Sequence, residues 1–263
     1  MVLDLQGGGL VAKILSAQAV SVSDTGRVRA RNEDRIFTSE RLFVVADGMG
    51  GHTLGDVAAQ CAIDAVAAIE QDLDSYSVED RKSAIKIALI EAADQICRHL
   101  DGVLPGSTET RILNFGQAAG TTVAGLHLGE RPLVFHVGDS RVYLYRDQEL
   151  SRLTRDHSLV QEMVDAGEIT DDEAHTHPRR SIITRAIGTY GPPAVDFAEV
   201  DLKVGDFVIL CSDGLTDELT DAEMTRILRD AIDMDEAINR LVSEALASGG
   251  RDNISIVLAH IGE

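Results

Sequence analysis

The chain has 263 residues, 44% of them hydrophobic, which is enough to bury a substantial core and argues against disorder. It carries 44 acidic against 24 basic residues. The resulting net charge of −20 repels phosphate backbones and anionic membrane surfaces, which argues against general nucleic-acid binding. Tryptophan is absent and aromatic residues make up 4%, a composition that disfavours base-stacking platforms.

The three cysteines, Cys61, Cys97 and Cys211, have no metal-binding or disulfide spacing, which indicates a reducing compartment. No apolar stretch approaches the ~18–20 residues of a spanning helix. The first residues also lack the basic-then-apolar order of a signal peptide. We therefore expect a cytoplasmic protein.

In chain order, residues 1–13 form an unpatterned leader, and the absence of a linker or repeat predicts a single domain over residues 14–263. A strand is predicted from Ile14 to Ser23, followed by a polar loop or exposed strand pair. The run Leu42–Ala46 is typical of a buried strand. Two amphipathic helices follow, and the second begins at Ser77, which has capping-box spacing with the acid three residues later.

Strands dominate residues 121–153, with a hairpin turn predicted at 146–148, and a helical insert follows at 157–178. The last part of the chain predicts two capped helices and four strands, at 182–188, 195–202, 206–214 and 253–261. Because strands come in runs and helices in pairs, a strictly alternating α/β sheet is disfavoured. We predict an α+β fold with two antiparallel sheets and helices packed outside them.

An aspartate lies at the edge of an apolar strand four times, at Asp47, Asp139, Asp213 and Asp252. A single Asp-Gly pair is ordinarily a turn. Four are harder to explain in this way, because a carboxylate beside buried strands costs several kcal/mol unless it is paired or bound to a cation. If the strand ends meet at one edge, the carboxylates converge and a cation is needed to hold them together.

All the candidate ligands are oxygens, which suits Mg²⁺ or Mn²⁺. Two such ions ~4 Å apart activate a shared water and clamp a phosphoryl group. Gly48 lets its own carbonyl approach an ion closely. Arg27, Arg29 and Arg31 would share one face of an extended segment, and their guanidinium groups suit a phosphate. The alternative is a solvated strand face that pairs with nearby acids.

These motifs resemble the metal-dependent protein phosphatases (PPM, type 2C) in their bacterial form. The matching stretches keep the family's order over about residues 23–258: SDTGRVRARNEDRIF, VVADGMGGHTLGDVAA, GTTVAGLHL, VFHVGDSRVYLYRD, LTRDHSLVQEMVDAGEIT, HPRRSIITRAIG, VILCSDGLTDELTD and GGRDNISIVL. The resemblance implies a four-layer αββα sandwich with a binuclear Mn²⁺ or Mg²⁺ centre at one end. It also implies a flap at residues 156–185 that influences the choice of protein substrate.

The resemblance assigns roles to single residues. Asp47 would bridge two ions, and Gly48 would offer its carbonyl. The other implied metal-site residues are Asp213 and Asp252 for the first ion, Asp139 and Asp213 for a third, weaker ion, and Glu33 and Asp34 for the ordering of metal-bound water. Arg29 would bind phosphate.

The general acid is less directly assigned. Many family members place histidine directly after the Asp-Gly pair, where this chain has Met49, and His52 follows three residues later. His52 is our candidate proton donor. The alternatives are a structural or substrate-contacting role for His52, with metal-bound water as the acid.

These observations predict a serine/threonine protein phosphatase in which a metal-bridging water attacks the phosphomonoester directly. A catalytically silent phosphoprotein-binding module is the alternative, although such a module would be expected to lack some of the acids present here. A nuclease is opposed by the charge. Cysteine-phosphatase chemistry is excluded, since no arginine stands six residues after any cysteine. Expected partners are phosphoproteins, including a Ser/Thr kinase or its substrates, and we expect a monomer.

Overall fold

The computed structural model describes residues 15–50, 54–103, 119–189 and 191–262. Within them, two five-stranded antiparallel sheets pack face to face, and helices cover both outer faces. This arrangement confirms the predicted α+β sandwich. The predicted leader, residues 1–13, lies outside the described residues.

The first sheet has the strand order β1-β12-β11-β8-β9, and every neighbouring pair is antiparallel. The hairpin between β8 and β9 turns at Asp147 and Gln148, which both have positive φ, as the tight turn predicted at 146–148 requires. The strands of this sheet are β1 (Ser16–Asp24), β8 (Arg141–Arg146), β9 (Glu149–Arg152), β11 (Phe207–Cys211) and β12 (Ile254–Gly262).

The second sheet has the order β10-β7-β6-β3-β2, again antiparallel throughout. Its strands are β2 (Arg35–Thr38), β3 (Leu42–Ala46), β6 (Val123–His127), β7 (Leu133–Val137) and β10 (Asp196–Glu199). A short ribbon pairs β4 (Gly48–Met49) with β5 (Gly120–Thr121).

Several helices begin at side-chain caps. Ser77 accepts a hydrogen bond from the amide of Asp80, and Thr220 forms a full capping box with Glu223, as the sequence predicts. The helices are α1 (Gly55–Ala68), α2 (Glu70–Leu73), α3 (Val78–Val103), α4 (Leu159–Asp165), α5 (Asp171–His175), α6 (Asp213–Thr216), α7 (Asp221–Asp230) and α8 (Met234–Ser248). A membrane-spanning helix would have to be longer or more apolar than any helix in the described parts of the chain.

Alternation along the strands divides the core into three apolar layers. In β3, Phe43 and Val45 face the other sheet, while Leu42, Val44 and Ala46 face helices α1 and α3. On the other side, α7 and α8 pack on residues of β8, β11 and β12 such as Tyr143 and Ile256. The two sheets and the two outer layers of helices together make the four-layer sandwich.

Strand polarity brings particular chain segments to one edge of the sandwich. In the second sheet, β3 and β7 run parallel to each other on either side of β6, so both end at the edge where β2 begins. In the first sheet, the antiparallel pairing of β12 with β11 and β1 makes it begin where they end. Asp47 and Asp139 follow β3 and β7, and Asp213 and Asp252 lie beside β11 and β12, so topology alone directs four acids to these edges.

Two predictions about local structure are wrong. Residues 182–188 do not form a strand, because they pair with two different partners through single bridges, Ile183 with Ser158 and Ile187 with Thr121. The end of the stretch predicted as a strand over 206–214 becomes helix α6 after Cys211, since Asp213 starts a helical turn there. For the polar segment after β1, the sequence leaves a loop and an exposed strand pair open; the structure has a loop with turns from Thr25 to Asp34, which confirms the first alternative.

A close packing contact between β6 and β7 gives a test of the core. Gly125 lies opposite Phe135, and a Cβ at Gly125 would come 2.1 Å from the buried ring. We expect Gly125→Ala to lower the free energy of unfolding by about 1–3 kcal/mol, because the ring must move within a packed core. Gly262→Ala is the matched control, since its Cβ would meet nothing closer than 3.7 Å. Urea unfolding measures both, and equal effects would contradict the contact.

Candidate metal centre

The loop between β1 and β2 carries Glu33 and Asp34 to the edge where the strands meet. Asn253, at the start of β12, fixes this loop: its Oδ1 accepts the amide of Glu33 at 2.8 Å, and its Nδ2 donates to the carbonyls of Thr25 and Arg31 at 2.9 Å each. Asp34 is 3% exposed. The loop is therefore held by the first sheet while it delivers an acid to the second.

The Asp34 carboxyl lies beside the hydroxyl groups of Ser212 and Ser255. The hydroxyl of Ser212 donates to its Oδ2 at 2.8 Å, and the same Ser212 oxygen accepts the amide of Ser255 at 3.0 Å. Burial raises the pKa of Asp34 to about 6. The carboxyl thus lies in an environment that disfavours its charge unless a cation is near.

Asp47 sits directly after β3, and its backbone is tied to the strand beside it. Its amide donates to Thr122 Oγ1 at 3.1 Å, and its carbonyl accepts from the Thr121 hydroxyl and the Thr122 amide, each at 2.9 Å. Its carboxyl group lies within hydrogen-bonding reach of those of Asp34 and Asp213. Two carboxylates at such a distance repel each other unless they share a proton or a cation.

Gly48 lies where only glycine fits. A Cβ at this position would come 2.1 Å from the carbonyl oxygen of Gly55 and 2.6 Å from that of Glu33. The Glu33 carboxylate in turn lies against Gly55, where a Cβ would come within 2.8 Å of its Oε2. The Glu33 pKa is raised by burial and then by the nearby Asp56. Close backbone approach therefore brings the Glu33 side chain next to the Gly48 segment.

The acids at this edge form a cluster in which each pKa that shifts is raised. Burial, followed by neighbouring carboxylates, raises the pKa of Asp47 and of Asp213 well above the usual value. Burial and the charge of Asp156 raise that of Asp139 to about 7. Asp252 contributes to the repulsion felt by Asp47 and Asp213. The structure thus brings together the acids that the sequence singled out.

Three carboxylate oxygens in this cluster are buried without a hydrogen-bond partner among the described residues: Oδ1 of Asp34, Asp139 and Asp213. Unsatisfied buried oxygens are costly, and a hard divalent cation satisfies several at once. The oxygen-only donor set, the orphaned atoms and the close approach at Gly48 fit Mn²⁺ or Mg²⁺.

Arg29 reaches the edge of the cluster from the same loop. Its Nη2 lies 2.6 Å from Asp252 Oδ2, and its side chain remains 52% exposed. Because the segment turns instead of extending, the predicted shared face of Arg27, Arg29 and Arg31 does not form. Among these three, Arg29 is the one that makes an ion pair with a cluster acid.

The remaining predicted residue is His52, which lies outside the described residues, so its role stays a prediction. Sequence reasoning missed Asn253 and Ser212, although each stands next to a predicted acid in the stretches GGRDNISIVL and VILCSDGLTDELTD. Both act by hydrogen bonding to the loop of residues 25–34, which is distant in sequence.

Removing one charge from the cluster should have opposite effects on the stability of the metal-free protein and on metal binding. We expect Asp47→Asn to raise the stability of the metal-free protein by about 1 kcal/mol or more at pH 8, because it removes a buried repulsion. We also expect it to abolish the rise in melting temperature that Mn²⁺ produces. Asp206→Asn is the control: Asp206 is buried but paired with Arg146 at 2.7 Å, so this change should destabilise the protein and preserve the Mn²⁺ response. A Mn²⁺ response in Asp47→Asn would contradict the assignment.

Metal binding should also depend on pH. When folding raises the pKa of a carboxyl group, its contribution to stability is fully present below pH ~4 and is lost as the pH rises through the pKa of the folded state. That pKa is about 6 for Asp34 and about 7 for Asp139. Mn²⁺ must displace these protons, so its apparent affinity should increase up to about pH 7, by as much as about tenfold per pH unit for each proton released. Calorimetric titrations in two buffers of different ionisation enthalpy measure the released protons. Constant affinity between pH 5.5 and 8 would contradict this account.

Comparisons with known proteins show the family of this chain. A model of the family described as Protein phosphatase 2C matches residues 27–248. The chain is 40% identical over 243 residues to the serine/threonine protein phosphatase PstP of Mycobacterium tuberculosis, covering 91% of this chain and 44% of PstP. It is 34% identical over 242 residues to the serine/threonine phosphatase stp of Listeria monocytogenes, covering 90% of this chain and 92% of that protein. The chain therefore spans less than half the length of the first relative and most of the second.

A solved structure extends the likeness to three dimensions. The catalytic domain of the serine/threonine protein phosphatase PstP, in complex with two manganese ions, superposes with a TM-score of 0.77 at 34% identity, covering 95% of this chain and all of that one. The family match and the identities confirm the resemblance that the sequence motifs carry. This chain belongs to the protein phosphatase 2C family.

Proposed function

We propose that this protein is a metal-dependent serine/threonine protein phosphatase that hydrolyses phosphoserine and phosphothreonine monoesters. The observation that carries the proposal is the cluster of buried, mutually repelling carboxylates with three orphaned oxygens, bordered by the exposed guanidinium of Arg29. The names of the relatives, which are serine/threonine phosphatases, support it.

The cluster residues would hold two Mn²⁺ or Mg²⁺ ions and a third, weaker one. Asp47 would bridge, Gly48 would offer its carbonyl, and the remaining ligands would be Asp213 and Asp252 for the first ion, Asp139 and Asp213 for the weaker ion, and Glu33 and Asp34 through ordered water. When bound, such ions supply an activated water and neutralise charge on a phosphoryl group.

The chain's own residues position the substrate. Arg29 can present a planar pair of donors to two phosphate oxygens, an arrangement that an ammonium group cannot match. Its present partner, Asp252, holds it at the edge of the cluster at 2.6 Å. Half of the side chain is exposed, so it can turn toward a phosphate that arrives from solvent. His52 remains the proposed proton donor to the leaving alkoxide.

A cleft of about 470 Å³ extends from Asp139 and Asp213 to the flap, residues 156–185. On the flap side it is lined by polar side chains that include Gln161, His175 and Arg180. A cleft of this size beside the phosphate site has room for the residues that flank a phosphoserine or phosphothreonine. This supports a protein substrate and a role for the flap in its selection.

Further proposals concern the cellular setting. We propose a single catalytic domain over residues 14–263 that acts as a monomer in the cytoplasm, which the low cysteine content of three residues supports. Its phosphoprotein partners would include a Ser/Thr kinase or that kinase's substrates. A silent phosphoprotein-binding module on the same fold would have no use for the mutually repelling acids described here.

The test is hydrolysis of para-nitrophenyl phosphate and of a phosphothreonine peptide. We expect turnover with Mn²⁺ and none with EDTA. Arg29→Ala should lower kcat/KM by about 10- to 100-fold, because a charge-assisted phosphate contact is lost. Arg27→Ala, in the same loop, is the matched control and should stay within about twofold of the unchanged protein. Turnover that survives EDTA, or a folded, Mn²⁺-loaded protein without turnover, would refute the proposal.

A further inference from the structure

A histidine at the start of the flap contacts the chain just before Asp139 from two sides. The amide of His157 donates to the carbonyl of Gly138 at 2.9 Å, and the amide of Gly138 donates to Nδ1 of the His157 ring at 3.0 Å. The ring is buried, with 5% of its side chain exposed. Backbone and side chain of one residue thus hold Gly138 from both sides, and the carbonyl they bind belongs to the peptide unit that joins Gly138 to Asp139.

The hydrogen bonds fix the tautomer of this ring. Since Nδ1 accepts from the Gly138 amide, Nε2 of the neutral ring carries the proton and donates to Asp196 Oδ2, 3.2 Å away. Arg185 Nη1 donates to the other oxygen of Asp196 at 3.0 Å; it also lies 3.2 Å from Nε2, but two N–H donors cannot bond each other, so Asp196 is the partner of Nε2. Burial lowers the pKa of His157 to about 4, which keeps the ring neutral. Gly138, His157 and Asp196 therefore form a relay of two hydrogen bonds, which joins the residue before Asp139 to the edge strand β10.

A second histidine supports the ring from behind. His136, which pairs with Asp196 across β7 and β10, stacks on His157 with ring centroids 4.6 Å apart, and its Nε2 bonds the carbonyl of Arg155 at 2.8 Å. The ligand atoms of His136, His157 and Asp196 lie within 4.8 Å of one another, a spacing that could suit a metal ion. However, Nδ1 of His157 is already an acceptor, so the protonated Nε2 has no lone pair for a metal.

The same histidine joins both ends of the flap. Its carbonyl accepts the amide of Thr184 at 2.8 Å, so the segment that leaves the flap is attached to the residue that enters it. Asp139 itself is 7% exposed, and its Oδ1 has no partner among the described residues. With no hydrogen bond to orient Oδ1, the Asp139 carboxylate depends on the backbone that carries it, and His157 holds that backbone at Gly138.

We propose that His157 is a positioning residue for Asp139: through Gly138 it fixes the carboxylate that would hold the weaker ion, and it couples that carboxylate to the flap. Asp196 orients the ring for this role. The inference rests on the proposed function, because it concerns the metal centre of that phosphatase.

The test compares two substitutions that differ in one hydrogen bond. In His157→Asn the shorter side chain can place its Oδ1 near the position of the histidine Nδ1 and accept the Gly138 amide, whereas leucine has no acceptor. We expect His157→Leu to raise the Mn²⁺ concentration for half-saturation of the weakest site by about 10- to 100-fold, the usual effect of losing a residue that orients a ligand. His157→Asn should stay within about threefold of the unchanged protein. Calorimetric Mn²⁺ titration measures both, and the Mn²⁺ dependence of kcat measured apart from KM gives a second readout.

Two further variants act as controls. His127→Asn removes a fully buried histidine at the far end of β6, so it should affect stability and leave the Mn²⁺ titration unchanged. Asp196→Ala removes the outer link of the relay together with the ion pair to Arg185. Both Asp196 and Arg185 are about half exposed, so this variant should fold and weaken the weakest site by about threefold. If His157→Leu does not fold, the Mn²⁺ titration of Asp196→Ala tests the positioning role instead.

The outcomes separate this inference from the proposed function. An unchanged Mn²⁺ titration in His157→Leu, equal losses in His157→Asn and His157→Leu, or an unchanged titration in Asp196→Ala when His157→Leu does not fold, would overturn the positioning role. Failure of the unchanged protein to bind Mn²⁺ or to hydrolyse phosphate esters would instead overturn the proposed function itself.

Discussion

The structure depends on the repulsion between buried carboxylate groups at one edge of the sandwich. Asp34, Asp47 and Asp213 lie within hydrogen-bonding reach along a chain of carboxyl groups, and burial raises the pKa of each. Such a cluster is unfavourable as bare anions, so it must share protons or cations. The fold offsets this cost through the packing of two sheets and their helices, which hold the strand ends in place whether or not the acids repel.

The sandwich can gather these acids at one place because each of its two sheets contributes acids from its own side. The second sheet supplies Asp47 and Asp139 from parallel strands that end together, and the first supplies Asp213 and Asp252 from an antiparallel pair. The loop between β1 and β2 then crosses from one sheet to the other and brings Arg29 and two more acids. Residues more than 200 positions apart in sequence, such as Arg29 and Asp252, therefore meet in one site.

Much of this site could be predicted because its main signal is local. An acid at the end of an apolar strand is visible in a short stretch, and antiparallel pairing carries several such ends to one edge. The strand prediction for residues 182–188 is wrong for the converse reason: β-branched residues such as Ile182 and Ile183 favour a strand, but pairing is decided by partners far along the chain, here two separate ones. The contact of His157 with Gly138 joins residues 19 positions apart and depends on the path of the chain from residue 156 onward, so no local sequence pattern predicts it.

Arginine is distributed unevenly among the buried acids. Asp206 is buried and bonded by Arg146, and Glu218 has two oxygens on Arg251; the pKa of each is lowered. For Glu218 the Arg251 hydrogen bond is the leading cause. For Asp206 burial is the largest single effect and raises the pKa, but the hydrogen bonds from Arg146 and from the Lys203 amide, with the nearby positive charges, together outweigh it. The chain therefore pairs buried acids with arginine where a stable fold is the only requirement. At the strand-end cluster it supplies only Arg29 among the described ion pairs, at the exposed rim, and leaves three inner oxygens without donors. Donors there would occupy the lone pairs that a divalent cation needs, so the missing partners are what binding of such a cation requires.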